Sequence, residues 1–214
     1  MKTAIIIGAT GLVGSHLLEL LLEDERFGTI KVFARRPTGI SNSRLEEHLV
    51  DFDQPEAWSS NVSGDILFSA MGTTIRKAGS KEAQYLIDHT YQYRTAEAAA
   101  KAGVGTYVLV SSAGASPTSK IFYSKMKGEL EEEIRKLPFG KIRILQPGIL
   151  DGERKESRPM EQAMITVSRI LKYIPGLKQY RPIHGRMVAQ KMISAGLDET
   201  PGIRVYTLGD VFLL

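Results

Sequence analysis

The chain has 214 residues, 43% of them hydrophobic and 24% charged, with a formal net charge of +4. That is enough for one substantial core, so a single domain over residues 1–214 with an ordinary globular composition is expected. The absence of cysteine excludes disulfides, thiol nucleophiles and thiolate metal sites and suits a reducing cytoplasm, while the four scattered histidines lack ligand spacing and the dispersed basic residues do not form a nucleic-acid stripe. Cytoplasmic location, no metal and no nucleic-acid partner are the resulting expectations.

The opening MKTAIIIGATGLVG has a short apolar run, which Gly8 and Gly11 interrupt too early for a signal segment or a membrane span. A soluble protein with no membrane partner is expected. Short β-rich runs then alternate with helical patterns: TAIIIG, a helix from Leu12 to Glu23, IKVFAR, EHLVDF, DILFSA, and a long helix ending near Ala102. TYVLVSS, a helix from Ser119 to Lys136, and KIRILQP complete the series. Several of these strands are continuously apolar, as parallel strands covered on both faces must be, so the fold class is α/β, a doubly wound parallel sheet of the Rossmann type. The charged run DGERKESRP breaks the pattern at 151–159, and residues 151–200 are expected to contribute a small substrate-side region. There Met160, Ala163, Met164, Val167 and Leu171 recur at helical spacing, read as a helix packing on the body, with a substrate lid or dimer face as the other reading. HGRMVAQKMISAGL reads as a further packed helix, and IRVYTL as a short strand.

Gly8, Gly11 and Gly14 fall between the first strand and the first helix, in the pattern G-x-x-G-x-x-G. Glycines there permit a tight turn, backbone approach to a diphosphate at the positive helix N-terminus, and close helix-to-strand packing. Gly8, Thr10, Gly11, Leu12, Val13 and Gly14 are therefore the expected dinucleotide-binding residues of this turn. At the end of the second strand a carboxylate would select NAD(H), but the chain has Ala34, Arg35 and Arg36. Guanidinium groups pair bidentately with phosphate, so NADP(H) is preferred over NAD(H), the plainer reading being a solvated strand end. Asp51 after the third strand is read as accepting from the adenine amine, with Phe52 nearby.

Ser111 and Ser112 close the fifth parallel strand at its carboxyl edge, where ligands lie in open α/β sheets. Tyr123 follows eleven residues after Ser112, and Lys127 one helical turn after Tyr123. With 8 tyrosines and 14 lysines, composition alone supplies about half a Tyr-x-x-x-Lys match, so the pair gains meaning only from its place after this strand. An ammonium about 5 Å from a phenol contributes roughly 3 kcal/mol at an effective dielectric of about 20, or about two pKa units, provided that solvent is excluded.

As a set these residues resemble the short-chain dehydrogenase/reductase superfamily in its atypical branch, and most closely the Tat-interacting oxidoreductases, NADPH-binding relatives of the NmrA-like proteins. The likeness runs through the glycine turn, ARRP, GTT with KAG, SSAGA, YSKMKGELE, QPGIL and ERKESRP, about three quarters of the chain. It implies that Ser112 orients a substrate carbonyl, Tyr123 exchanges the proton, and Lys127 binds the nicotinamide ribose and lowers the tyrosine pKa. It further implies that Ala70, Met71 and Gly72 line the adenosine side and that Pro147, Gly148 and Ile149 hold the carboxamide. Two positions depart from the superfamily pattern: Asp88 stands where many members have asparagine, and Gln146 where an arginine usually precedes Pro-Gly. Ser111 stays an alternative to Ser112, one residue of register away. The leading expectation is an NADPH-dependent oxidoreductase acting on a small carbonyl or alcohol. The alternative is a dinucleotide sensor or scaffold serving a protein partner. An epimerase or dehydratase acting on a nucleotide sugar is the third reading, for which the chain is short.

Overall fold

The computed structural model describes residues 1–151 and 182–212. The described residues form nine strands: β1 (Lys2–Ile7), β2 (Phe27–Ala34), β3 (Leu45–Leu49), β4 (Ile66–Ser69), β5 (Thr106–Val110), β6 (Lys141–Gln146), β7 (Leu150–Asp151), β8 (Ile183–His184) and β9 (Gly202–Thr207). Seven of them make one parallel sheet in the order β3-β2-β1-β4-β5-β6-β9, and β7 pairs with β8 in a separate ribbon. The helices are α1 (Leu12–Glu23), α2 (Ile75–Ala78), α3 (Lys81–Tyr85), α4 (Tyr91–Lys101), α5 (Phe122–Ile134) and α6 (Gly185–Leu197). This is the doubly wound sheet expected from the alternation of elements.

Side chains of β1 alternate between the two faces. Ala4 and Ile6 pack with Leu17, Leu18, Val188 and Met192 from α1 and α6, while Ile5 and Ile7 pack with Ala96, Leu130 and Ile134 from α4 and α5. All of these are fully buried, and each contributes about 1.5–3 kcal/mol relative to exposure. The chain order reverses between β1 and β4, so the crevice at the carboxyl ends of these strands is the place for a ligand.

Inside the sheet, Arg143 of β6 is fully buried. Its guanidinium donates to the carbonyls of Ala195 (3.2 Å), Asp198 (3.1 Å), Gly202 (2.8 Å) and Thr200, and stands 3.9 Å from the Asp198 carboxylate. A single cation thus caps the end of α6 and ties the turn before β9 to β6.

Three expected boundaries move. The strand expected at EHLVDF lies two residues earlier, because it is a half-exposed edge and because Asp51 turns the chain by accepting from Asp53 N–H (3.0 Å). Helix α5 begins at Phe122, since Ser119 Oγ accepts from Ile121 N–H (3.1 Å) and holds the preceding residues in a turn. The expected long helix carries a π turn over Leu86–Thr90, between α3 and α4. Of the expected substrate-side region 151–200, residues 185–197 belong to the body as α6, and the helix read from Met160 to Leu171 lies outside the described residues. Among the described residues, no helix is long and apolar enough to cross a membrane, and no group of three or more histidines and carboxylates is placed to hold a metal.

Candidate active site

The glycine turn is built by contact. Gly8 has φ +85°, and a Cβ there would lie 2.5 Å from Ala70 C and Met71 N. A Cβ on Gly14 would lie 2.1 Å from the Gly8 carbonyl oxygen, and Gly11 N–H donates to that same oxygen (2.9 Å). Only glycines let α1 start against β1 while the end of β4 closes over the turn. Thr10 and Gly11 are exposed at this edge, Leu12 is half-buried, and Val13 is buried in the core beneath. Ala70 and Met71 are half-buried beside Gly8, and Gly72 is exposed.

Arg35 and Arg36 are exposed immediately beyond β2. Asp51 is exposed nearby, with its carboxylate accepting from Asp53 N–H and the Gln54 amide (3.3 Å). The Phe52 ring is buried, stacked on Tyr91 (5.4 Å) and edge-on to Trp58 (5.4 Å). Tyr91 OH donates to Asp53 (2.7 Å), and burial followed by that carboxylate pushes its pKa up to about 12.

Beyond β5 the two serines part. Ser111 is buried and its hydroxyl donates to Glu131 (2.5 Å), whereas Ser112 is half-buried and makes only a long contact with the Ala113 carbonyl (3.4 Å). The loop after Ser112 is held against α5 by Gly128, where a Cβ would meet Ser116 C at 2.2 Å, and by Ser116 N–H donating to the Ser124 carbonyl (3.0 Å). Tyr123, in the first turn of α5, is 39% exposed, and Lys127 one turn below is 2% exposed. Among the described residues no hydrogen bond or ion pair reaches Lys127 Nζ. Its charge acts on the neighbouring Asp88 and His89 of the π turn.

Asp88, fully buried in the π turn, accepts from Thr73 N–H (2.6 Å) and the Gln84 amide (3.4 Å). Burial raises its pKa, opposed by the Lys127 charge and by these donors. Gln92 fixes the turn, donating to the Asp88 carbonyl (2.5 Å) and accepting from Ser69 Oγ (2.6 Å). Pro147 is buried and Gly148 and Ile149 half-buried after β6, and Gln146 donates to Glu131 (2.9 and 3.0 Å). Gly128, Glu131, Thr73 and Gln84 were not foreseen. Gly128 sits within the quoted YSKMKGELE stretch, and a glycine inside a helical pattern was the one available signal.

The glycine turn, Ser112 and the Pro147–Ile149 turn follow the carboxyl ends of β1, β5 and β6, on the edge where the sheet order reverses, an arrangement that fits a dinucleotide. A family model described as NAD(P)H-binding matches residues 8–158, from the first glycine through every residue of this site. An Aspergillus fumigatus protein named "Protein fmp52, mitochondrial" is 37% identical over 210 residues, covering 94% of this chain and 90% of the relative. Among solved structures, the Bordetella bronchiseptica enzyme WbmH in complex with NAD+ superposes with TM-score 0.72 at 17% identity over 98% of this chain and 76% of its own. The Thermus thermophilus UDP-glucose 4-epimerase complex with NAD gives 0.69 at 18% identity over 99% and 81%. At these identities the two structures speak for the fold. The curated relatives bear the fmp52 name and not a Tat-interacting or NmrA-like one, which leaves the expected resemblance standing at the level of dinucleotide-binding family and fold. The cytoplasmic expectation is overturned, since these relatives are named as mitochondrial; a chain without cysteine shows only that its fold needs no disulfide, and carries no address. Sequence match, sheet order and site agree, and the chain belongs to the NAD(P)H-binding family.

Proposed function

We propose that this protein is an NADP(H)-dependent oxidoreductase of the short-chain type, acting on a small carbonyl or alcohol substrate. The observation that carries this reading is the buried side chain of Lys127, one turn below the half-exposed phenol of Tyr123 and close enough to Asp88 for its charge to act there. A bound nicotinamide supplies or accepts the hydride. Ser112, whose hydroxyl makes only a long local contact where that of Ser111 is committed to Glu131, orients the substrate oxygen. Tyr123 passes the proton to or from that oxygen, with Lys127 one helical turn below it.

The remaining residues would hold the cofactor. Gly8, Thr10, Gly11, Leu12, Val13 and Gly14 offer backbone N–H groups and the α1 N-terminus to the diphosphate. Arg35 and Arg36 suit a 2′-phosphate, and Asp51 with the Phe52 backbone suits the adenine. Ala70, Met71 and Gly72 would flank the adenosine, Lys127 the nicotinamide ribose, and Pro147, Gly148 and Ile149 the carboxamide. The β7–β8 bridge, which brings Asp151 beside His184 just past Ile149, supports a substrate-side role for residues at 151–184. The mitochondrial names of the relatives support a mitochondrial location. Nearness to the Tat-interacting family belongs to the same proposal and rests on the motif set alone.

A panel of carbonyl substrates followed by NADPH absorbance tests the reading. Turnover by the wild type, abolished in Tyr123→Phe with NADPH binding retained, is the expected result. Unchanged turnover in that variant removes the proton donor, and binding without turnover across the panel favours the sensor or scaffold reading.

A further inference from the structure

Glu131 is 6% exposed, one helical turn beyond Lys127 on the same face of α5. Its carboxylate collects three elements. Ser111 Oγ, at the end of β5, donates to it at 2.5 Å; Gln146 Nε2, at the end of β6, donates at 2.9 and 3.0 Å; and Arg135 Nη2, on its own helix, stands at 3.8 Å. Burying a carboxylate is costly unless donors satisfy it, and here two strand ends and a guanidinium do so. Leu130 and Ile134 already anchor this helix in the core, so packing alone does not call for a carboxyl group between them.

The residues adjoining this cluster are those of the site. Ser112 follows Ser111, Pro147 follows Gln146, and Lys127 lies one turn before Glu131. We propose that Glu131 is a positioning residue for the nicotinamide half of the cofactor: by clamping the ends of β5 and β6 to α5, it sets the Pro147–Ile149 turn and the Ser112 loop against Lys127. This rests on the dinucleotide reading above and deepens it. It also accounts for glutamine in front of Pro147, since an amide there donates to Glu131 without placing a second cation beside Lys127.

The test uses two probes of the whole chain. NADPH spans both halves of the site, and adenosine 2′,5′-bisphosphate reports the adenosine half alone. Glu131→Leu orphans Ser111 and Gln146, and should weaken NADPH about tenfold while leaving the bisphosphate within about twofold, as a misplaced contact does. Glu131→Gln keeps an acceptor for Ser111 and, with the Gln146 amide turned over, a donor for Gln146; it should hold NADPH within about threefold of wild type. Equal weakening of both probes in Glu131→Leu, no weakening of either, or loss of NADPH in Glu131→Gln as large as in Glu131→Leu would each overturn the clamp. A wild-type chain that binds neither NADPH nor NADH overturns the dinucleotide reading itself, and the clamp with it. If Glu131→Leu fails to fold, Gln146→Leu, which removes the β6 arm alone, replaces it with the same expected split between probes.

Discussion

Gly14→Ala sets two magnitudes against each other. By helix propensity alone, alanine inside α1 should stabilise the chain by about 0.5–1 kcal/mol. The new Cβ, however, would lie 2.1 Å from the Gly8 oxygen, 2.7 Å from Gly8 C and 3.0 Å from Ala9 Cα, all backbone atoms that no rotamer change can move. Since Cβ contacts below 3.0 Å are essentially never seen, α1 must retreat by about 0.9 Å from the turn. Overpacking of this kind costs about 1–3 kcal/mol, which outweighs the propensity gain. Net of the propensity gain the loss reaches up to about 2.5 kcal/mol, and at about 2–4 °C per kcal/mol for a chain of this size Tm should fall by up to about 10 °C. The retreat also draws the α1 N-terminus away from the diphosphate, and NADPH affinity should drop at least about tenfold, or about 1.4 kcal/mol. Thermal unfolding followed by circular dichroism, together with NADPH titration, measures both. Gly105→Ala is the control: nothing lies within 4 Å of its Cβ, and its Tm should match or slightly exceed wild type. A Gly14→Ala protein that melts with or above the wild type, or falls no further than Gly105→Ala, refutes the reasoning.

Other outcomes follow from the same geometry. Replacing Arg35 and Arg36 together with alanine should weaken NADPH by about 10–150-fold, the equivalent of about 1.5–3 kcal/mol, with NADH unchanged in parallel titrations. Equal losses for the two cofactors would remove the 2′-phosphate assignment. Burial raises the folded-state pKa of Asp88 above its unfolded value near 3.9, so the stability tied to this group is full below that value and lost as pH rises through the folded pKa. Asp88→Asn should therefore exceed wild-type stability at neutral pH in denaturant titrations, with the gap closing toward pH of about 4; a constant gap contradicts the linkage. Arg143→Leu leaves several carbonyls unanswered in the sheet and should cost about 3–5 kcal/mol by denaturant unfolding.

Much of the architecture was readable because it is written locally. The apolar runs of β1, β4, β5 and β6 need cover on both faces, and three glycines between β1 and α1 leave few alternatives to a phosphate-binding turn. What escaped depends on partners far along the chain. Arg143 reads as one polar residue in KIRILQ, and its role exists only because residues 195–202 come to meet it. Glu131 is one glutamate in the run ELEEEI, and nothing local separates the buried member from its exposed neighbour Glu132. The π turn at Leu86–Thr90 has no residue signature, and a strand end does not say which way an aromatic ring such as that of Phe52 turns.

The ribbon of β7 and β8 joins Leu150 to Ile183 and Asp151 to His184, so positions 151 and 183 are held at neighbouring points. An excursion with fixed, adjacent ends is thermodynamically interchangeable: doubling its length adds only about 0.6 kcal/mol of closure entropy. Related proteins can therefore lengthen, shorten or exchange this cassette without disturbing the seven-stranded platform.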